Sequence, residues 1–190
     1  MAEMNDEKLV SCYLAGDKKS LEILIERHLK QIYNFIYHYV GDAPGAEDVT
    51  QDVFVKVWRK VDKFDENKKF KTWLFSIAKN AALDFLKKKK AFSFSAFENE
   101  AWENVLAETL PDAAPLPDEL LARADLAKLL SEALAELPSP DRGVLLLHHY
   151  DQFTFDEAAE ILGKPLNTVK SRYRRALIKL RKILIKSDKF

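Results

Sequence analysis

Apolar residues recur every three or four positions along most of this chain, which is the period of helices that pack through one face. Leu21, Leu24, Ile25, Leu29, Ile32, Phe35, Ile36 and Tyr39 predict a long helix over 18–40, ended by Gly41. A short helix over 6–15, ended by Gly16, precedes it. A third is expected over 46–61, with Val49, Val53, Val57 and Val61 turned inward and Phe54 and Trp58 widening that stripe. Asp48, Gln51, Asp52, Val55 and Arg59 form a second line that faces away, and on their own they fit a solvated face with acids favoured in the first turns. With five glycines and no Asn-Gly or Asp-Gly hairpin signal, the pattern predicts an all-α protein.

A polar loop over 62–69 carries one aromatic, Phe64, and leads into an apolar helix over 70–90 with an unusual polar line. Trp73, Ile77, Asn80 and Asp84 share one side of it. Asn and Asp on an apolar helix need partners, either in a neighbouring helix or in a polar ligand such as an unpaired base. The helix ends in Lys87, Lys88, Lys89 and Lys90, a cluster suited both to the helix dipole and to phosphates.

Further along, 119–137 and 139–150 read as amphipathic helices, and 154–186 as two helices joined by a tight turn. Thr154 and Glu157 can form a capping box, Gly163 and Pro165 stop the first helix, and Asn167 or Thr168 can cap the second. On the second helix Val169, Tyr173, Ala176, Leu177, Leu180 and Leu184 fall on one side. Lys170, Ser171, Arg174 and Arg175 fall on the other, with Arg172 nearer the boundary. One face wants a core and the other wants phosphates and base edges, the make-up of a DNA-reading helix-turn-helix.

Charge sharpens this picture. The chain has 30 basic and 30 acidic residues, but they are segregated. The stretch 164–189 has ten Lys or Arg against Asp188 alone, whereas 93–118 has six acids, three prolines and no base. The acidic stretch reads as a linker, with a helical turn expected around Trp102. The predicted organisation is therefore two small helical domains, 1–92 and 119–190, joined by an acidic linker over 93–118. Cys12 is the single cysteine, so no intrachain disulfide forms and a reducing cytoplasm is expected. No apolar run approaches a membrane span of about 18 residues, so direct membrane insertion is not expected. His148 and His149 are adjacent and should point to different sides of a helix, which argues against a shared metal. No nucleophile–base constellation, phosphate-cradling glycine loop or metal cluster is present, so neither an enzyme nor a cofactor or metal is expected.

Three segments in this order resemble bacterial RNA polymerase sigma factors of the extracytoplasmic-function (ECF) group: AEDVTQDVFVKVW at 46–58, FKTWLFSIAKNAALDFLKK at 70–88, and ELPSPDRGVLLLHHYDQFTFDEAAEILGKPLNTVKSRYRRALIKLRK at 136–182. The middle motif discriminates against a free-standing, dimeric helix-turn-helix regulator, whose sensor half has no reason to carry it. The resemblance implies that Asp48, Gln51, Asp52 and Val55 dock on the coiled coil of the largest subunit of core RNA polymerase, and that the flap is a second polymerase contact. Phe64, Lys69, Lys71, Trp73, Asn80, Lys87 and Lys88 are implied to bind and open the minus-10 element of promoter DNA, with a flipped base held near Asn80. Lys170, Ser171, Arg172, Arg174 and Arg175 are implied to read the minus-35 duplex, and the acidic linker to thread the polymerase cleft. An anti-sigma factor is implied as a further partner, the chain being a monomer when free and 1:1 when held. Two departures stand out: Asn167 replaces a common Gly before the recognition helix, and the end of the 70–90 helix is all Lys where relatives often use Arg.

Overall fold

The computed structural model describes residues 4–95 and 118–187, all helix and connecting turn, with no strand among them. The expected linker, including Trp102, lies outside the described residues apart from its ends. In order the helices are α1 (Asp6–Leu14), α2 (Lys18–Val40), α3 (Ala43–Lys60), α4 (Phe70–Ser95), α5 (Asp118–Ala135), α6 (Ser139–Leu145), α7 (Phe155–Leu162) and α8 (Leu166–Ser187). A 3-10 turn over Val61–Lys63 follows α3, and a π-helical turn over Leu146–Tyr150 extends α6. α4 runs five residues beyond the expected stop at Lys90, through the domain boundary placed at 92.

Local chemistry sets the ends. Asn5 and Asp17 cap α1 and α2 by accepting from Lys8 N and Lys19 N. Gly41 closes α2 in the left-handed region, at φ 90°. Asp42 caps α3 through Gly45 N and also pairs with Lys89 of α4 at 2.8 Å. Glu7 of α1 accepts from Phe70 N at 3.0 Å, so one helix satisfies the first orphan amide of another.

The N-terminal bundle is α1–α4 packed through the faces the periodicity indicated. Leu24, Ile32, Phe35, Ile36 and Tyr39 of α2 meet Val49, Val53 and Val57 of α3 and Phe70, Leu74, Phe75, Ala78 and Ala82 of α4, all buried. Each large apolar side chain so buried contributes about 1.5–3 kcal/mol, far more than propensity supplies per residue. Trp58 departs from expectation: it is 59% exposed. It sits about 120° around the helix from the middle of the valine stripe, so it shares the outer face with Gln51 and Val55. Leu29, expected in the core, is also 46% exposed.

α6, α7 and α8 form the C-terminal group around Val144, Leu145, Leu147, Ala158, Ile161, Val169 and Ala176. Leu177, expected on the core side of α8, is exposed. His148 and His149 do not diverge as expected. The π-helical turn brings their rings to 5.3 Å, and both lie against Tyr173 of α8. His148 Nδ1 meets Phe153 O at 2.8 Å and His149 Nε2 meets the Tyr173 hydroxyl at 2.8 Å.

The two groups pack on each other. Tyr39, 1% exposed, lies over Gly143 of α6, and Arg142 donates from Nη1 to Tyr39 O at 2.7 Å. The same guanidinium donates from Nη2 to Ala135 O and Leu137 O. Phe153 packs edge-on against Phe75 of α4, with ring centroids 4.8 Å apart.

Candidate nucleic-acid and polymerase interface

The outer face of α3 is built as a presented surface. Asp48, Gln51, Asp52 and Val55 are all exposed, on the side opposite Val49, Val53 and Val57. Their one visible restraint is the Asp52–Lys56 pair at 3.3 Å, an i,i+4 contact worth a few tenths of a kcal/mol. Sequence reasoning missed Trp58, which extends this line with a large exposed ring, and the wheel angle could have found it. A shallow apolar groove of about 400 Å³ adjoins it between α2 and α3, lined by Leu29, Lys30, Tyr33, Glu47, Thr50 and Gln51. Acids beside exposed aliphatic and aromatic groups suit a protein partner with basic and apolar residues.

The loop before α4 is anchored from beneath. Phe64, implied by the resemblance to bind the minus-10 element, is only 6% exposed and packs against Phe70 and Trp73 at centroid distances of 5.7 and 5.3 Å. It therefore seats the loop and has no free face for a base in this arrangement. Trp73 is half-buried in the same cluster.

Lys68 and Lys69 project from this loop toward α7, where they pair with Glu160 at 3.0 Å and Glu157 at 2.6 Å. Hydrogen bonding from Lys69, ahead of the Thr154 contacts, holds the Glu157 carboxyl below its ordinary range. A cleft of about 610 Å³ lies between the loop and α7. Lys71 donates to Asp151 O at 3.3 Å and lies 4.8 Å from the Phe153 ring centroid.

Asn80 is exposed on the outer line of α4, with Asp84 one turn on. Its Oδ1 accepts at 2.8 Å from Nζ of Lys79, the preceding residue of the same helix. Burial, then the repulsion of Lys164, pushes the Lys79 ammonium below its ordinary value. Lys87 and Lys88 are exposed beyond it, Lys87 lying 3.6 Å from Asp84.

The helix-turn-helix carries the expected capping box: Thr154 accepts from Glu157 N while Glu157 accepts from Thr154 N. Gly163, at φ 61°, ends α7 and donates to Ala159 O and Glu160 O. α8 begins at Leu166, so Asn167 and Thr168 lie within its first turn and do not cap it. Lys170, Ser171, Arg174 and Arg175 are exposed on one face, opposite buried Val169 and Ala176. Ser171 donates to Thr168 O and Arg175 Nε donates to Ser171 O at 3.3 Å, which folds both side chains along the helix. Arg172 is half-buried and faces the N-terminal bundle. Burial pushes the Tyr39 hydroxyl up to about 12, against the opposing pull of Arg142 and Arg172.

Comparison with known proteins matches these parts. Residues 24–92 match sigma-70 region 2 and residues 127–180 match sigma-70 region 4. The ECF RNA polymerase sigma factor SigW of Bacillus subtilis is 30% identical over 184 residues, covering 96% of this chain and 98% of that protein. Among solved structures, CnrH in complex with the cytosolic domain of CnrY is 25% identical, with a TM-score of 0.69 over 95% of this chain and 97% of that one. The sigma factor RpoE of Bartonella quintana, solved with the anti-sigma factor NepR, shares the fold: 24% identity and a TM-score of 0.71 over 87% and 97%. Helical order, the presented α3 face, the α4 motif and the basic recognition helix thus meet in one lineage: the chain belongs to the sigma-70 family of RNA polymerase sigma factors, in the ECF group.

Proposed function

We propose that this chain is a promoter-specificity subunit without catalysis of its own, which binds core RNA polymerase and brings it to two promoter elements. Domain 1–92 docks on the largest-subunit coiled coil through Asp48, Gln51, Asp52 and Val55, with Trp58 added to that surface. It opens the minus-10 element using the loop at Lys69, Lys71 and the outer line at Asn80, followed by Lys87 and Lys88. Phe64 and Trp73 support that loop from the core. Extruding a base costs a few kcal/mol, and the Asn80 amide, which can both donate and accept, offers part of the return. Domain 119–190 reads the minus-35 duplex with Lys170, Ser171, Arg174 and Arg175, while Arg172 braces α8.

The observation that carries this reading is the co-occurrence, in one chain, of an exposed acidic docking line and a basic recognition helix, each opposite a well-packed core. No described helix is long and apolar enough to cross a membrane, and the work proposed for the chain is cytoplasmic. Control by an anti-sigma factor is part of the proposal, supported by the relative of similar fold solved with the cytosolic domain of a second protein. The test is a binding titration on promoter duplex. The chain alone should bind weakly, and added core polymerase should raise affinity and sequence preference together. Tight, specific operator binding by the chain alone would contradict the reading and favour an independent regulator.

A further inference from the structure

Helix α4 starts without a cap of its own. Lys69 stands at its N-cap, where the Lys69 carbonyl accepts from Trp73 N at 3.2 Å. A lysine side chain has no acceptor, so it satisfies none of the four amides that a helix start leaves open. The acceptor comes from α1 instead. Glu7 Oε1 accepts from Phe70 N at 3.0 Å, across 63 residues of sequence.

The neighbouring acid reaches the same residue by a second route. Asp6 Oδ2 lies 2.7 Å from His28 Nε2, and the His28 ring packs on the Phe70 ring with centroids 5.8 Å apart. α1 is itself fixed in the bundle: Leu9 and Val10 are buried, and Arg27 of α2 donates to Met4 O at 3.0 Å. Phe70, 1% exposed, in turn seats Phe64 and Trp73. Two consecutive acids of α1 thus hold the residue that lies between Lys69 and Lys71, the cations proposed above to meet the opened strand. All of these contacts lie within α1–α4 and the loop between α3 and α4.

Resting on the sigma reading, we propose that Glu7 is a positioning residue for minus-10 opening: it caps α4 from α1 and so holds the Lys69–Lys71 start of that helix in the shape that receives single-stranded DNA. A strand that met a frayed helix start would have to order that backbone on binding, and a start already capped avoids this cost.

Reach and charge can be separated at this position. A carboxylate is favoured at a helix N-terminus by charge alone. Aspartate keeps the charge but is one methylene shorter, whereas glutamine keeps the reach and the acceptor without the charge. The cap requires reach. Ser11 supplies a control on the same helix. Its Oγ lies 3.3 Å from the Glu66 carboxylate but has the Glu7 carbonyl at 3.1 Å as an alternative, and a hydroxyl has one proton to give.

The experiment uses the full chain assembled with core polymerase on a genomic duplex fragment that yields a run-off transcript with wild type. Permanganate reactivity of the minus-10 thymines reads opening, and a gel shift in the cold reads the closed complex. Glu7→Ala and Glu7→Asp should each lower opening about three- to tenfold, the loss of one cap, with core co-elution and the closed complex retained. Glu7→Gln and Ser11→Ala should open to within about twofold of wild type. Opening by Glu7→Ala and Glu7→Asp equal to wild type overturns the proposal. So does an equal loss in Glu7→Gln and Glu7→Ala, or a loss of closed complex as large as the loss of opening. The Asp and Gln variants decide the matter if Glu7→Ala fails to fold. A wild-type chain that gives no run-off on any genomic fragment overturns instead the functional reading on which the proposal rests.

Discussion

Gln31 of α2 donates from Nε2 to Oδ1 of Asp151 at 3.2 Å, across the junction of the two domains, while the second carboxyl oxygen of Asp151 is buried without a partner. Asp151 is 2% exposed. Burial pushes its carboxyl up to about 7, against the smaller opposing pulls of Gln31 and Lys71. In an opened chain the group returns toward its ordinary 3.8. The closed chain therefore keeps its proton where the opened one has lost it. Closure is favoured as pH falls from about 7 toward about 4, by at most about tenfold per pH unit.

Asp151→Asn should remove that dependence. The variant should be more closed than wild type near neutral pH, with the difference narrowing as the pH falls, as read by the radius of gyration in solution scattering. His38 acts in the opposite sense. Its ring packs edge-on against Tyr150 across the same junction, and burial holds it below the ordinary histidine value of 6.5, so protonation favours opening. The Asn variant should show this residual acid opening alone. Identical pH profiles for the two proteins would contradict the assignment.

Arg174→Ala and Arg175→Ala each remove an exposed guanidinium from the basic face of α8 proposed to read DNA. Each should cost about 1–3 kcal/mol and relax base preference at a minus-35 position. Selection from randomised minus-35 sequences by the holoenzyme measures this, and an unchanged preference would count against direct readout. Arg172→Ala should instead leave the preference intact, because that side chain turns toward the N-terminal bundle.

Asp48→Lys combined with Asp52→Lys should abolish co-elution with core polymerase and leave helicity unchanged, since both side chains are exposed. Trp58→Ala should weaken the same association by about 1 kcal/mol or more, as expected of an aromatic anchor. Normal co-elution of the charge-reversed chain would refute the docking role of α3.

Asn80→Ala should impair opening of the minus-10 element more than formation of the closed promoter complex, which permanganate footprinting resolves. Lys79→Met should act in the same direction through loss of the hydrogen bond that fixes the Asn80 amide. Equal opening by wild type and Asn80→Ala would remove Asn80 from the melting step.

The elements that depend on neighbours in sequence were legible before the structure. The 3.6-residue period placed α2 from 18 to 40, and the Thr154–Glu157 capping box sits where those two side chains required it. The exposed basic face of α8 followed from the same wheel. What escaped depends on contacts between distant residues. Phe64 lies in a polar loop, and its burial comes from Phe70 and Trp73 on the next helix. Trp58 misled because a tryptophan beside valines suggests core, although its angle placed it outside. The π-helical turn that gathers His148 and His149 on Tyr173 leaves no periodic mark in so short a stretch. Closure of the domains rests on pairs such as Arg142 with Tyr39, 103 residues apart, whose partners no local pattern identifies.

Core-dependent run-off transcription on fragments of the source genome tests the central claim most directly, because polymerase docking, minus-35 reading and minus-10 opening must all succeed for a discrete product to appear. The account predicts defined transcripts only when this chain and core polymerase are both present, with start points that share two spaced sequence elements. Transcripts independent of the chain, or no transcripts with a chain that co-elutes with core, would contradict it.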